Sequence, residues 1–557
     1  MNIPPDDQNA WLHQYTRIFN GGAGGFLFNA LRADLQDAWM RALNGWQSAP
    51  GRYAAIQAQW QAALSEFQTS VAARQAQPWT AITDLQALHK QLGKCLRTMI
   101  KEAPGLSATD QRVLIFSVRH LLHALTPEHW PQLNQEVLRT AAVSNGASYA
   151  QGLQNFYQDL ANSVIGLEVK TADKDDFVIG ESLAVTPGEV VFENRLFQLI
   201  QYYPGTQEVS NIPLLIVPPW INKYYVLDLN PTDSFVQWAI RQGHTVFMMS
   251  WVNPDASHCD LGLADYLVHG CLAAATEVGK ITDVPQINVA GYCIGGFLAA
   301  CAAAYQAVGD RNNFASLTLL TTMLDYNESG DIGVFLSERM LAALAEHLQT
   351  EGVLDGRFLR QTFTMLREDR MFWPYVVNNY LLGKSPEPNP VLYWNRDATN
   401  LPRRMLSEFL RDMYRDNALR NKREYMLADR VIDMDQVTVP VYALACRNDH
   451  IIPWHSAYQS ALMLTGDVSF VLADSGHVMG VVNPPNKRQS GYWSAEGELN
   501  GADADAWLAT AAHHAGSWWP HWQDWIARRQ PGRVAARFPG TNGKPVIERA
   551  PGRYVKK

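Results

Sequence analysis

Apolar positions along this chain follow two periods. Over residues 1–170 they recur at helical spacing: in AIQAQWQAALSEFQTSV, Ile56, Trp60, Leu64, Phe67 and Val71 return every three or four residues and form one face of an amphipathic helix. This predicts an all-α N-terminal domain without visible chemistry. Its glycine cluster GGAGG (21–25) reads as a flexible join, because no strand precedes it as a phosphate-binding loop requires. From about 170 the pattern changes to short, continuously apolar runs: PLLIV (213–217), HTVFMMSW (244–251), QINVA (286–290), SLTLLTTM (316–323), VPVYALAC (439–446) and VSFVLA (468–473). Such runs are what strands buried on both faces look like. Helical stretches such as PTDSFVQWAIRQG (231–243) separate most of them, which predicts an α/β fold with a mostly parallel sheet over 171–557. Between SLTLLTTM and VPVYALAC the rhythm stops for more than a hundred residues, too long for a connecting loop. An inserted, mostly helical cap or lid over about 325–430 is predicted there, mobile because apolar patches such as MFWPYVVNNYLL (371–382) alternate with turns and charge. The Pro-, Gly- and Arg-rich tail, about 530–557, is expected to be extended.

The candidate chemistry starts where a strand meets a helix. QINVA leads through GYCIG into FLAACAAAYQAV, a nucleophile elbow with cysteine in place of serine. The turn is so tight that side chains at Gly291 and Gly295 would clash, and it lifts Cys293 to a helix N-terminus, where the dipole and free N–H groups favour a thiolate. The N–H of Ile294 becomes one oxyanion-hole donor. An elbow needs an acid and then a histidine further along, each just past a strand. RNDHIIPW after VPVYALAC offers Asp449, and DSGHVMG after VSFVLA offers His477. Taken singly, Asp449 reads equally as a turn residue and His477 as a polar loop residue. Together with Cys293 they stand in the chain order Cys, Asp, His that α/β hydrolases use. His477 takes the proton of Cys293 and Asp449 orients the imidazole, with His450 a weaker alternative base. The second oxyanion donor should come from the loop after LLIV. Pro218 and Pro219 have no N–H, which leaves Trp220 or Ile221.

Other polar candidates are poorer. His120 and His123 stand i, i+3 on a helix but lack an apparent third metal ligand, and Asp503 and Asp505 in GADADAW read as caps of the following helix. Cys259, Cys271, Cys301 and Cys446 read as small core residues. Composition narrows the function classes. With 46 basic and 54 acidic residues, net charge −8, there is no excess to neutralise phosphates, and nucleic acid is an unsuited partner. Six scattered cysteines without a CxxC pair fit a reduced, cytoplasmic protein. The start, MNIPPDDQNAWLHQ, lacks a signal-peptide pattern, and no apolar run is long enough to span a membrane. Eighteen tryptophans suggest apolar pockets or interfaces, or simply an aromatic-rich core.

From about 180 to the C-terminus the chain resembles polyhydroxyalkanoate synthases. The resemblance rests on TPGEVVFENRLFQLIQY, LLIVPPWINKYYVLDL, TVFMMSWVNPDAS, GYCIGGF, LYWNRDATNLP, DHIIPW, GHVMGVVNPP and APGRYV. WNRDATNLP and APGRYV are similar to the class I, single-subunit type. The resemblance implies an α/β-hydrolase fold, catalysis by Cys293, Asp449 and His477, and polymerisation of short-chain 3-hydroxyacyl-CoA such as 3-hydroxybutyryl-CoA. It implies no cofactor, CoA being the leaving group, and a homodimer at the surface of polyester granules with the insertion as a cap. It also suggests that Asp449 helps to deprotonate the incoming hydroxyl. A cysteine nucleophile suits a thioester substrate, because exchange between thioesters is nearly isoenergetic. The rivals are an acyl-CoA thioesterase or dienelactone-hydrolase-like enzyme using the same triad with water, and a granule-binding protein without catalysis, against which the elbow speaks.

Overall fold

The computed structural model describes residues 25–557 except 74–80, 165, 310–311, 488–489, 498, 500, 502 and 542–544. The chain start and residues 21–24 of the glycine join lie outside the described residues. The chain divides into two compact units. One holds the described residues up to Asp173 together with Asp331–His347 and Arg360–Pro388; the other holds Lys174–Gly330, Leu348–Leu359 and Asn389–Lys557. The stretch 325–430 that breaks the strand rhythm thus contributes to both.

The first unit is helical. Its main elements are α1 (Gly25–Gln47), α2 (Pro50–Ala73), α3 (Ala81–Lys101), α4 (Ala108–Ala124), α5 (Gln135–Val143) and α6 (Ala147–Asn162). Ala38, Ala42, Trp46, Ile56, Cys95, Ile100, Leu114 and Val118 form a buried core, against which Trp60 packs. Val71, at the far end of the predicted stripe, stays 44% exposed. Ser107 caps α4 by accepting the N–H of Asp110, whose carboxylate takes both Nε and Nη2 of Arg41. The inserted residues Val334 and Leu366 join Val113 and Phe116 of α4 in a second cluster. Beside it the buried Glu368 receives Arg119 (3.3 Å) and the Nδ1 of His123 (2.8 Å), with His120 Nε2 at 3.5 Å. The i, i+3 histidines therefore face a carboxylate supplied by the insertion, which spacing along one helix could not reveal. Among the described residues no group of three His, Cys, Asp or Glu side chains is arranged to hold a metal ion.

The second unit is built on an eleven-stranded sheet: β1 (Gly188–Glu193), β2 (Phe197–Tyr202), β3 (Leu214–Val217), β4 (Val246–Trp251), β5 (Ile287–Tyr292), β6 (Phe314–Leu320), β7 (Val441–Cys446), β8 (Val468–Ala473), β9 (Gly491–Ser494), β10 (Ala512–Ala515) and β11 (Glu548–Arg549). The order across the sheet is β10-β9-β8-β7-β6-β5-β3-β4-β2-β1-β11. The six apolar runs of the sequence are its centre, β4-β3-β5-β6-β7-β8, and every pairing among them is parallel. β2, β1 and β11 at one edge, and β9 and β10 at the other, add antiparallel pairings, so the parallel order predicted for the sheet holds for its middle. The C-terminal tail is extended in part but paired: Arg533–Ala535 bonds to Glu208–Ser210, and β11 closes on β1. The helix Trp519–Ala527 accounts for several tryptophans: Trp518, Trp519 and Trp522 are fully buried and their indole N–H groups are all bonded.

Candidate active site

The loops at the carboxyl ends of β5, β7 and β8 bring the three singled-out residues together. β5 ends at Tyr292, and the helix α7 (Ile294–Ala307) starts two residues later with Cys293 as its N-cap. Cys293 has φ 55° and ψ −123°, a conformation non-glycine residues rarely hold. Its N–H donates to the Leu320 carbonyl of β6 (2.8 Å), and its own carbonyl accepts the N–H groups of Gly296 and Phe297. The flanking glycines are required by contact. A Cβ on Gly291 would lie 2.4 Å from the Gly296 Cα, and one on Gly295 would lie 2.2 Å from the Val217 carbonyl oxygen. The end of β3 and Pro218 thus press directly against the turn that carries Ile294, which brings the Pro218–Ile221 loop beside the elbow. Trp220 is buried and Ile221 half-buried. The N–H of Ile294, in the first turn of α7, has no partner within the helix.

Asp449 follows β7 and is buried. Its Oδ1 accepts the N–H groups of Ile451 (2.8 Å) and Ile452 (2.9 Å), and its Oδ2 accepts from Nδ1 of His477 at 2.6 Å. That bond fixes the tautomer and leaves Nε2 for the ring's other partner, the Cys293 side chain. His477, not the neighbouring His450, is the histidine that Asp449 holds. Ser475, two residues before it, has φ 100°, a strained bend that delivers the ring. Burial opposes a charge on His477, yet the negative charges of Asp449 and then Cys293, with their hydrogen bonds, outweigh it and raise the imidazole to about 10. The imidazole is therefore the charged, proton-holding partner of the Asp449 carboxylate.

Several supporting residues were not singled out in the sequence. Tyr292 donates to the His477 carbonyl (3.4 Å), and its ring lies 5.4 Å from the imidazole. The indoles of Trp518 and Trp519 donate to the carbonyls of Gly480 and Val481, bracing the loop after His477. Beside the elbow, against Phe297 of α7, lies an aromatic cluster. Phe409, from the insertion, packs edge-on against Phe297 (5.3 Å), Tyr326 (5.9 Å), Tyr414 (5.7 Å) and Trp220 (6.1 Å). Burial, and then the charge of Cys293, raises the Tyr414 phenol, and Cys293 is also among the charges that raise Tyr326. Cys293 is only 7% exposed. No residue type in the insertion marks these aromatics in advance, because their meeting depends on contacts across more than eighty residues of chain.

Away from this centre, Asp503 stands at the N-cap position of the helix Ala504–Thr510 but its side chain makes no capping hydrogen bond, and Asp505 lies in the first turn and pairs with His455 (3.1 Å), so the expected side-chain cap is not formed. Cys271, Cys301 and Cys446 are buried and their thiols pushed up by burial, as inert core cysteines are.

Comparison with known proteins adds an independent line. The family described as poly-beta-hydroxybutyrate polymerase (PhaC) N-terminus matches residues 74–239, and the alpha/beta hydrolase fold family matches residues 214–484. A poly(3-hydroxyalkanoate) polymerase of Methylorubrum extorquens is 39% identical over 511 residues, covering 89% of this chain and 84% of that protein. The poly(3-hydroxyalkanoate) polymerase subunit PhaC of Rhizobium etli is 40% identical over 460 residues, 82% of this chain and 71% of its own. Its counterpart in Cupriavidus necator is 39% identical over 466 residues, 82% of this chain and 78% of its own.

Proposed function

The chain belongs to the poly(3-hydroxyalkanoate) polymerase family, acyltransferases on an α/β-hydrolase fold, and from that premise we propose that it polymerises short-chain 3-hydroxyacyl-CoA, such as 3-hydroxybutyryl-CoA, through a thioester on Cys293. The thiolate of Cys293 attacks the substrate carbonyl. The oxyanion is met by the N–H of Ile294 and that of Trp220 or Ile221. The carbon–sulfur bond to CoA breaks, and the departing thiolate takes the proton held on His477. In the second half, the hydroxyl of a 3-hydroxyacyl unit or of the growing chain gives its proton to His477 and attacks the acyl-cysteine. An ester bond forms and the Cys293 thiolate leaves. Asp449 acts through His477 in this account. The direct role on the hydroxyl that the resemblance suggests finds no open oxygen, because both oxygens are engaged and the side chain is fully buried. The sequence of steps needs no cofactor, metal or nucleotide, and CoA is only the leaving group.

The observation that supports this reading most is the joining of Cys293, His477 and Asp449 by hydrogen bonds at a strained elbow whose thiol is buried. An acyl-cysteine exposed to water hydrolyses; one on a buried thiol with Tyr326 and Tyr414 among its neighbours favours a carbon-rich hydroxyl nucleophile. This separates the polymerase reading from an acyl-CoA thioesterase with the same triad. Action as a homodimer at the surface of cytoplasmic polyester granules belongs to the same proposal. Sedimentation with and without substrate tests the dimer, and a fluorescent fusion tests the granule. Intact mass after brief exposure to 3-hydroxybutyryl-CoA tests the chemistry. The expected result is an added hydroxybutyryl group on Cys293 that is absent from Cys293→Ala; an equal adduct on the alanine variant overturns it.

A further inference from the structure

Three of the stretches that carry the family resemblance meet, in the second unit, at one buried ammonium. Lys223 lies at the end of the Pro218–Ile221 loop, in the stretch LLIVPPWINKYYVLDL, and its side chain is 7% exposed. Its Nζ donates to Asp397 Oδ1 (2.8 Å), in the stretch LYWNRDATNLP, and to the Val555 carbonyl (2.8 Å), in the closing APGRYV. Asp397 also accepts the hydroxyl of Tyr225 at 2.8 Å. The loop is held at two further points by the same inserted stretch. The Trp394 indole donates to the Lys223 carbonyl (2.6 Å), and the Thr399 hydroxyl donates to the Trp220 carbonyl (2.7 Å). Asn222 and Ala398 form an antiparallel bridge between these contacts. On its other side the loop gives the Pro218 carbonyl to the Trp251 indole (2.9 Å). The tail is fixed in turn: the Tyr554 N–H donates to Gln198 and its hydroxyl to the Asn194 carbonyl.

A buried ammonium costs several kcal/mol in solvation unless it is fully paired. A leucine or methionine would fill the same space without that cost, so stability alone gives little reason for a charge here. What the charge achieves is directional. It ties a carboxylate of the insertion and a carbonyl of the C-terminal tail to the loop lying against the elbow glycine Gly295. Resting on the reading of Trp220 or Ile221 as oxyanion donor, we propose that Lys223, held by Asp397 and Val555, is a positioning residue that sets the oxyanion N–H of this loop. Through it the insertion and the tail become part of the acylation machinery although neither supplies a reacting atom.

The test separates oxyanion geometry from general damage. Acylation of Cys293 by 3-hydroxybutyryl-CoA develops an oxyanion; alkylation of the same thiol by iodoacetamide is a displacement at a saturated carbon and develops none. Single-turnover CoA release and alkylation are measured side by side on the full chain. Lys223→Met is expected to slow the first CoA release roughly 100-fold, the scale of one lost or misplaced donor, while alkylation changes less than about threefold. Lys223→Arg should recover part of the lost rate. If Lys223→Met does not fold, Asp397→Asn, which keeps shape and lies partly exposed, carries the same expectation. Acylation within threefold of the wild type in the folded variant, or acylation and alkylation falling together, overturns the proposal. Cys293→Ala run alongside guards the premise: CoA release by that variant would overturn the reading of the nucleophile rather than the clamp.

Discussion

Cys293 gains its reactivity from where the backbone puts it. An alanine fits the elbow at φ 55° as well as cysteine does, so Cys293→Ala should fold normally, by circular dichroism and melting temperature, and release no CoA. Cys293→Ser should fall by orders of magnitude, because a hydroxyl is a poorer nucleophile beside this histidine and its ester a poorer donor. Removing the orienting carboxylate should act earlier than the second step. With both Asp449 oxygens occupied, Asp449→Asn is expected to abolish the first CoA burst, by a factor of about 10^4 on the precedent of triads that lose the tautomer; a normal burst followed by stalled elongation would instead assign Asp449 directly to the hydroxyl. The same ion pair leaves a mark on stability. Because the folded state raises His477 from 6.5 to about 10, its contribution is complete below pH 6.5 and disappears as pH rises through about 10. Denaturation midpoints of wild type and Asp449→Asn should therefore lie furthest apart below pH 6.5 and converge towards pH 10; a gap that widens with pH contradicts this. At this scale the sequence was informative because the chemistry restricts residue types and strand ends restrict positions. The choice between Trp220 and Ile221 was not legible, since it depends on which N–H the loop turns inward, and the loop is held by Trp394, Asp397 and Thr399, residues far along the chain.

The elements that position these residues differ in how openly they are written. β3 to β8 are mostly apolar because both faces are covered, and each was readable as a run. β2, FQLIQY, is buried along its whole length yet contains two glutamines, which mask the pattern. Gln198 is satisfied there by Glu193 and Glu548, the latter from β11, a partner 350 residues away. Edge strands such as β11, with two residues, carry no periodicity at all. The elbow itself is unforgiving: Gly295→Ala sets a methyl against the Val217 carbonyl and Pro218, both backbone, and should yield little folded protein at expression. The inserted segment Arg403–Arg415, which carries Phe409 and Tyr414 and packs on Phe297 beside Cys293, is expected to open and close during turnover. Its amides should exchange with solvent faster than those of β5, β6 and β7 in the free protein and slow down after acylation. Exchange as slow as in the central strands before substrate is added would make it a fixed wall instead of a lid.

For the whole molecule, the question is which hydroxyl reaches the acyl-cysteine. Family membership settles the reaction class; in the proposed account the burial of the thiol, 7% exposed, is the physical reason that water is a poor competitor. The division of the insertion between two units was not legible from sequence. The absence of strand-like runs marks where the sheet is interrupted, but not which helices the interrupting residues join. The measurement that bears most directly on the account is a mass balance. Purified protein is given 3-hydroxybutyryl-CoA alone, and released CoA is compared with free 3-hydroxybutyrate in the supernatant and with insoluble polyester. The account predicts turbidity and CoA release far in excess of free hydroxy acid, with no added metal, nucleotide or second protein. One free hydroxy acid for every CoA, with no polymer formed, would contradict it.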